Sequence, residues 1–184
     1  MLKTKRALIK KVVKLEFEMF EYVRTIQPSL CQERSETFKL MREMNHSVLS
    51  INTLKSYLED LKTAKLSKRN LMTEKYARMN NLIPVLKLNP LIYEIVSIES
   101  KWIKEFSQKY PLIANYKPNY FKQYLSCELE TYSDNSIDSY FHDIKIAEKK
   151  DRNLAQERFE YLIKKLGYSS LEDFNSKRER EKKL

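Results

Sequence analysis

Residues 56–79 read SYLEDLKTAKLSKRNLMTEKYARM, and residues 139–162 read SYFHDIKIAEKKDRNLAQERFEYL. The two stretches align without a gap at a spacing of 83 residues. Ser56-Tyr57 meets Ser139-Tyr140, Asp60 meets Asp143, Arg69-Asn70-Leu71 meets Arg152-Asn153-Leu154, and Glu74 meets Glu157. Extended outward to 8–79 against 91–162, the same register holds 18 identities in 72 positions. Self-similarity at a fixed period marks a repeated supersecondary unit. The expected fold is all-α: an internally duplicated helical bundle, two four-helix repeats of period 83 with a short C-terminal helix. The repeats run over 5–80 and 88–163, with a linker at 80–89. Together they form a single domain over 1–166, followed by a C-terminal helix and basic tail over 167–184. Two similar halves in one chain pack about a pseudo-two-fold axis, as an isologous dimer does.

Apolar spacing predicts the helices of each unit at 5–24 and 89–107, 36–47 and 119–130, 52–66 and 135–149, and 70–80 and 153–166. Asn70 and Asn153 stand where an N-cap side chain would accept from exposed backbone N–H groups. Gly167 suits the left-handed position that closes the last repeated helix. Ser170-x-x-Asp173 then opens the terminal helix.

Gly167 is the one glycine in 184 residues. A phosphate-cradling loop and a dinucleotide fingerprint need several glycines for close backbone approach, so both are excluded. The nucleophile elbow G-x-S-x-G is missing as well. No run of apolar residues exceeds three, against about 20 for a membrane-spanning helix, which predicts no membrane span and a cytoplasmic location. Two cysteines are too few for a disulfide scaffold. The formal charge is +10. Residues 1–14 contribute +6 and residues 175–184 contribute +3, which leaves +1 for everything between. A basic excess confined to the ends argues against nucleic acid as the partner.

The chemistry lies on the first helix of each unit. With Val12 at 0° and about 100° per residue, Leu8, Leu15, Met19 and Val23 share one face, and Glu16 falls inside it at about 40°. Glu99 occupies the same angle among Ile92, Ile95, Val96, Trp102 and Ile103. A carboxylate on an apolar stripe must find a partner or shift its pKa. The fourth helices offer Lys75 and Arg158 at equivalent positions as those partners. Two readings follow. The pairs are internal ion pairs that fix helix register, or Glu16 and Glu99 face a shared polar cavity near the pseudo-axis. In the second case they act as acid/base groups or bind a small ligand. Lys75, Arg158, Tyr57 and Tyr140 would then support them, with Arg42 and the Cys31 loop at the mouth. Asp60 and Asp143 are expected to receive Arg69 and Arg152, closing each turn between the third and fourth helices.

A di-iron site needs two Glu-x-x-His motifs. Glu43-x-x-His46 is one, but its copy reads Ser126-x-x-Leu129, so no His-dependent metal site is expected. No cofactor is called for, although an all-carboxylate metal site stays open. The competing function is a non-catalytic protein–protein interaction or regulatory module that uses a helical groove and the basic ends.

The segments Cys31-Gln32, Phe38-x-x-Met41-Arg42, Arg69-Asn70-Leu71-x-x-Glu74-Lys75-Tyr76-Ala77-Arg78-Met79, Glu99-x-x-Trp102 and Glu128-Leu129-x-Thr131-Tyr132-Ser133 carry a resemblance. Over most of its length the chain resembles a family of small bacterial proteins catalogued as a domain of unknown function. The resemblance implies a bacterial, cytoplasmic, all-helical protein and brings no catalytic assignment.

Overall fold

A computed structural model describes residues 2–23, 35–114 and 116–181. Among the described residues there are nine α-helices and no strand. They are α1 (Leu2–Phe20), α2 (Ser35–Ser47), α3 (Ile51–Leu66), α4 (Leu71–Met79), α5 (Pro90–Lys109), α6 (Pro118–Leu129), α7 (Asp134–Lys149), α8 (Leu154–Lys165) and α9 (Leu171–Glu181).

Local chemistry sets most boundaries. Ser50 and Ser133 cap α3 and α7, each accepting from the backbone N–H three residues on. Asn70 and Asn153 cap α4 and α8 in the same way. Pro90 and Pro118 open α5 and α6, where a missing N–H costs nothing. Gly167 lies at φ +88°, in the left-handed region that ends α8. The Ser170 hydroxyl accepts from Asp173 N at the start of α9. The first helix closes earlier than its periodicity implies. Tyr22 N and Val23 N donate to carbonyls three residues back, a tightened last turn that carries Val23 into the core.

The apolar stripes meet in one core. Val12, Leu54, Leu61, Ile95, Leu129, Ile137 and Ile144 have no more than a trace of exposed surface. Each such side chain contributes about 1.5–3 kcal/mol on burial. Helix α1 packs on α2, α3 and α4, and α5 packs on α6, α7 and α8. The two groups are tied by α3 against α7 and by a reciprocal exchange: α2 lies on α8, and α6 lies on α4. Side chains from α2 and α6 therefore enter the opposite group of helices. The exposed side of α1 carries Arg6, Lys10, Lys11 and Lys14.

The α3–α7 seam corrects one expectation. Asp60 and Asp143 do not receive the arginines. Asp60 accepts from Ser133 N at 3.0 Å, and Asp143 accepts from Ser50 N at 2.7 Å and from the Thr53 hydroxyl at 2.6 Å. Each aspartate thus holds the start of the facing helix, which makes the two helices antiparallel. A carboxylate near a helix N-terminus also meets the positive end of the macrodipole. Arg69 and Arg152 instead form bidentate pairs with Glu74 and Glu157, five residues on in each case.

Asp143→Ala should destabilise the fold by about 2 kcal/mol and Asp60→Ala by about 1 kcal/mol, since charge-assisted bonds to buried donors are worth more. Thr53 is fully buried, so its hydroxyl has no water to turn to. Urea denaturation of the two variants checks the ranking, and equal losses would contradict it.

Candidate functional site

Helix α1 delivers Glu16 into the core with no exposed surface. The partner is not Lys75. Helix α2 presents Phe38, Arg42 and His46 at four-residue spacing, so all three share one face. Arg42 grips Glu16 with two donors, Nε to Oε2 at 2.9 Å and Nη2 to Oε1 at 2.5 Å. Tyr57 on α3 donates to Glu16 Oε1 at 3.0 Å. His46 Nε2 lies 3.0 and 3.1 Å from the two carboxylate oxygens.

Arg42 has a second carboxylate. Its Nη1 and Nη2 donate to Glu128 of α6 at 3.1 and 2.8 Å. Lys75 of α4 donates to the same Glu128 at 2.5 Å and stands 3.3 Å from the Tyr124 ring centroid. Tyr132 adds a hydroxyl to Glu128 at 3.2 Å. Glu16, Arg42, Glu128 and Lys75 thus form one buried chain of alternating charge that sums to zero. It is the contact of α6 with α4 that puts Lys75 beside Glu128 and leaves Glu16 to Arg42.

Glu99 does meet its expected partner. Arg158 donates to it through Nη1 and Nη2 at 2.6 Å each, and Tyr140 donates to it at 2.9 Å. Arg158 Nη2 also donates to the Tyr140 oxygen at 2.9 Å. Arg158 reaches across to α2, where its Nε donates to the Asn45 carbonyl at 3.4 Å.

The pKa directions follow from these contacts. Burial alone would push the Glu16 carboxyl up, but the charge of Arg42 and the hydrogen bonds from His46 and Arg42 outweigh it and hold it at about 2. Burial likewise opposes ionisation of Glu128, and Arg42 and Lys75 hold it well below the usual carboxylate range. Burial pulls Lys75 down, against the upward pull of Glu128. Burial pushes the Tyr57 and Tyr140 hydroxyls up, so both keep their protons and act as donors to the glutamates.

Where α2, α5, α6, α7 and α8 meet, the structure leaves a partly open cavity of about 70 Å³. Its wall includes His46, Leu49, Glu99, Phe121, Tyr124, Leu125, Glu128, Tyr132, Tyr140 and Arg158. Glu16 is not part of that wall, and its oxygens are taken up by Arg42, His46 and Tyr57. His46 Nδ1 is buried and has no hydrogen-bond partner among the described residues.

The expected site residues therefore divide. Glu99, Arg158 and Tyr140 come together at the cavity. Glu16, Arg42, Lys75 and Tyr57 lie in the packed charge chain, and Arg42 is buried rather than at a mouth. Cys31 lies outside the described residues. Among the polar residues of the wall, Asn45, His46, Tyr124, Glu128 and Tyr132 were missed. The signal was present, since Phe121, Leu125 and Glu128 share a face of α6 just as Phe38, Arg42 and His46 share one of α2. Glu43, the other half of the Glu-x-x-His motif, turns elsewhere and accepts from Tyr161 and Lys165. Among the described residues, no group of three or more His, Cys, Asp or Glu is placed to hold a metal ion.

Removing Glu16 leaves Arg42 and Lys75 to share Glu128, one buried positive charge without a counterpart, at a cost of about 3–5 kcal/mol. Glu16→Gln should show that loss in urea denaturation near pH 7, and a loss below about 1 kcal/mol would contradict the assignment. The same carboxyl makes stability fall with acid. Its folded pKa of about 2 lies below the ordinary 4.5, so its contribution is complete above pH 4.5 and disappears as pH drops toward 2. The amount is on the order of 3 kcal/mol. Stability measured from pH 6 to pH 2 should decline in that window, less steeply in Glu16→Gln.

No curated protein and no solved structure matches the chain. A family model matches residues 6–176, nearly the whole chain, and carries no activity with it. The chain belongs to that family, described as a protein of unknown function (DUF4125).

Proposed function

We propose that the protein binds a small molecule in the cavity between its two groups of four helices. The observation that carries this reading is His46 Nδ1, a buried polar atom without a partner on a residue that lines a cavity. Buried polar atoms are nearly always hydrogen-bonded, and the exceptions point to an absent partner. Glu99, Arg158 and Tyr140 supply a second polar patch of wall. The charge chain from Glu16 to Lys75 fixes α1, α2, α4 and α6 around it. The cavity has roughly half the volume of the 150 Å³ cavities that take benzene, which limits the ligand to a few non-hydrogen atoms.

The internal duplication is part of the same proposal. It is supported by geometry that repeats at 83 residues: the Asp60 and Asp143 caps, the Arg69–Glu74 and Arg152–Glu157 pairs, and the Asn70 and Asn153 amides on the Met19 and Trp102 carbonyls. Lys68 and Asp151 both take positive φ, at 57° and 50°. In this reading, one copy keeps its glutamate for packing and the other lends its glutamate to the site. The bacterial, cytoplasmic setting rests on the family resemblance. No helix among the described residues is long and apolar enough to cross a membrane.

A thermal-shift screen of small polar compounds tests the reading, with Leu49→Phe as the filled-cavity control. A ligand at 100 times its Kd stabilises by about 2.7 kcal/mol, which raises Tm by roughly 5–10 °C at this chain length. Compounds that stabilise the native chain and not Leu49→Phe support the site. A screen in which no compound distinguishes the two overturns it.

A further inference from the structure

The two edges of the His46 ring have different fates. Nε2 faces both oxygens of Glu16, and that carboxylate is ionised and can only accept. Nε2 must therefore carry a proton and donate it to the hydrogen bond. Arg42 and Lys75 already balance Glu16 and Glu128, so no unpaired carboxylate calls for a second proton on the ring, and in the neutral ring the other nitrogen, Nδ1, is a bare lone pair. His46 is 2% exposed, so bulk water does not serve that lone pair.

The charges around the cavity are already matched. Glu99 has Arg158, and Glu128 has Lys75 and a share of Arg42, whose other carboxylate is Glu16. A charged molecule entering here would lose its hydration and find no unpaired opposite charge, a penalty of several kcal/mol. The rest of the wall is Asn45 with Leu49, Leu125, Phe121 and tyrosine rings, a mostly apolar lining that suits a short apolar body.

Building on the small-molecule reading, we infer that the cavity takes a small neutral molecule bearing an O–H or N–H donor, which it gives to His46 Nδ1. Glu16 acts as a positioning residue, setting the tautomer that leaves Nδ1 as the acceptor. The class is that of short alcohols and primary amides. It excludes carboxylates and ammonium ions of equal size.

Histidine ring nitrogens report this directly. The chain has two histidines, and His142 is exposed, so a full-length His142→Gln protein labelled with 15N-histidine shows His46 alone. Four probes of equal size are titrated: 2-propanol, acetamide, isopropylammonium and acetate. The expected result is a saturable shift of the Nδ1 resonance with 2-propanol or acetamide, and none with the two ions. Adding Leu49→Phe should abolish it. Saturation by an ion but by neither neutral probe overturns the ligand class and leaves the binding reading standing. So does a neutral probe that raises Tm without moving Nδ1. If no probe acts while the wider screen yields cavity-dependent compounds, the donor class falls alone. If both are blank, the binding reading falls with it.

Discussion

Arg42 is the residue on which the core depends. It comes from α2, spends Nε and Nη2 on Glu16 of α1, and turns Nη1 and Nη2 to Glu128 of α6. One guanidinium therefore joins the first four helices to the next four, through ions that are almost wholly out of water. A planar, permanently charged fork suits this role, because it meets two carboxylates without losing its proton. An ammonium in its place would be a point charge with fewer donors. Lys75 and the hydroxyls of Tyr57 and Tyr132 supply further donors to the two carboxylates. Without them the same burial would be prohibitive.

That arrangement explains why the cavity lies where it does. Around Glu16 the space is filled by Arg42, His46 and Tyr57. Among the described residues Arg158 and Tyr140 serve the Glu99 carboxylate, and the positions 83 residues after Arg42 and His46 are Leu125 and Leu129. Two leucines do not reach as an arginine and a histidine do. A gap therefore opens on this side, and His46 borders it from the filled side. In the proposed function, an asymmetry between related halves becomes a ligand site.

Much of the fold was legible in the sequence, for local reasons. Helix period, Ser and Asn caps, prolines at first turns and the lone glycine all act within a few residues, so their effects can be read in order along the chain. The burial of Glu16 and Glu99 was legible too, because a wheel places them inside apolar stripes whatever surrounds the helix. Glu128, Arg42 and His46 were open to the same test, since each continues an apolar row begun by a phenylalanine.

Pairing was a different matter. Lys75 and Arg158 lie 83 positions apart in the ungapped alignment, yet Arg158 holds Glu99 while Lys75 holds Glu128. Asp60 and Asp143 reach the facing helix instead of the following arginine. The first choice turns on the exchange of α2 and α6 between the two groups of helices, which sets Glu128 against both Lys75 and Arg42, and the second on the packing of α3 against α7. By itself the sequence determined which helices form, which faces they bury and which charged groups go inside. Only the tertiary structure decided which charge meets which and where space was left over, because ion pairing and cavity volume depend on distances between helices that no periodicity encodes.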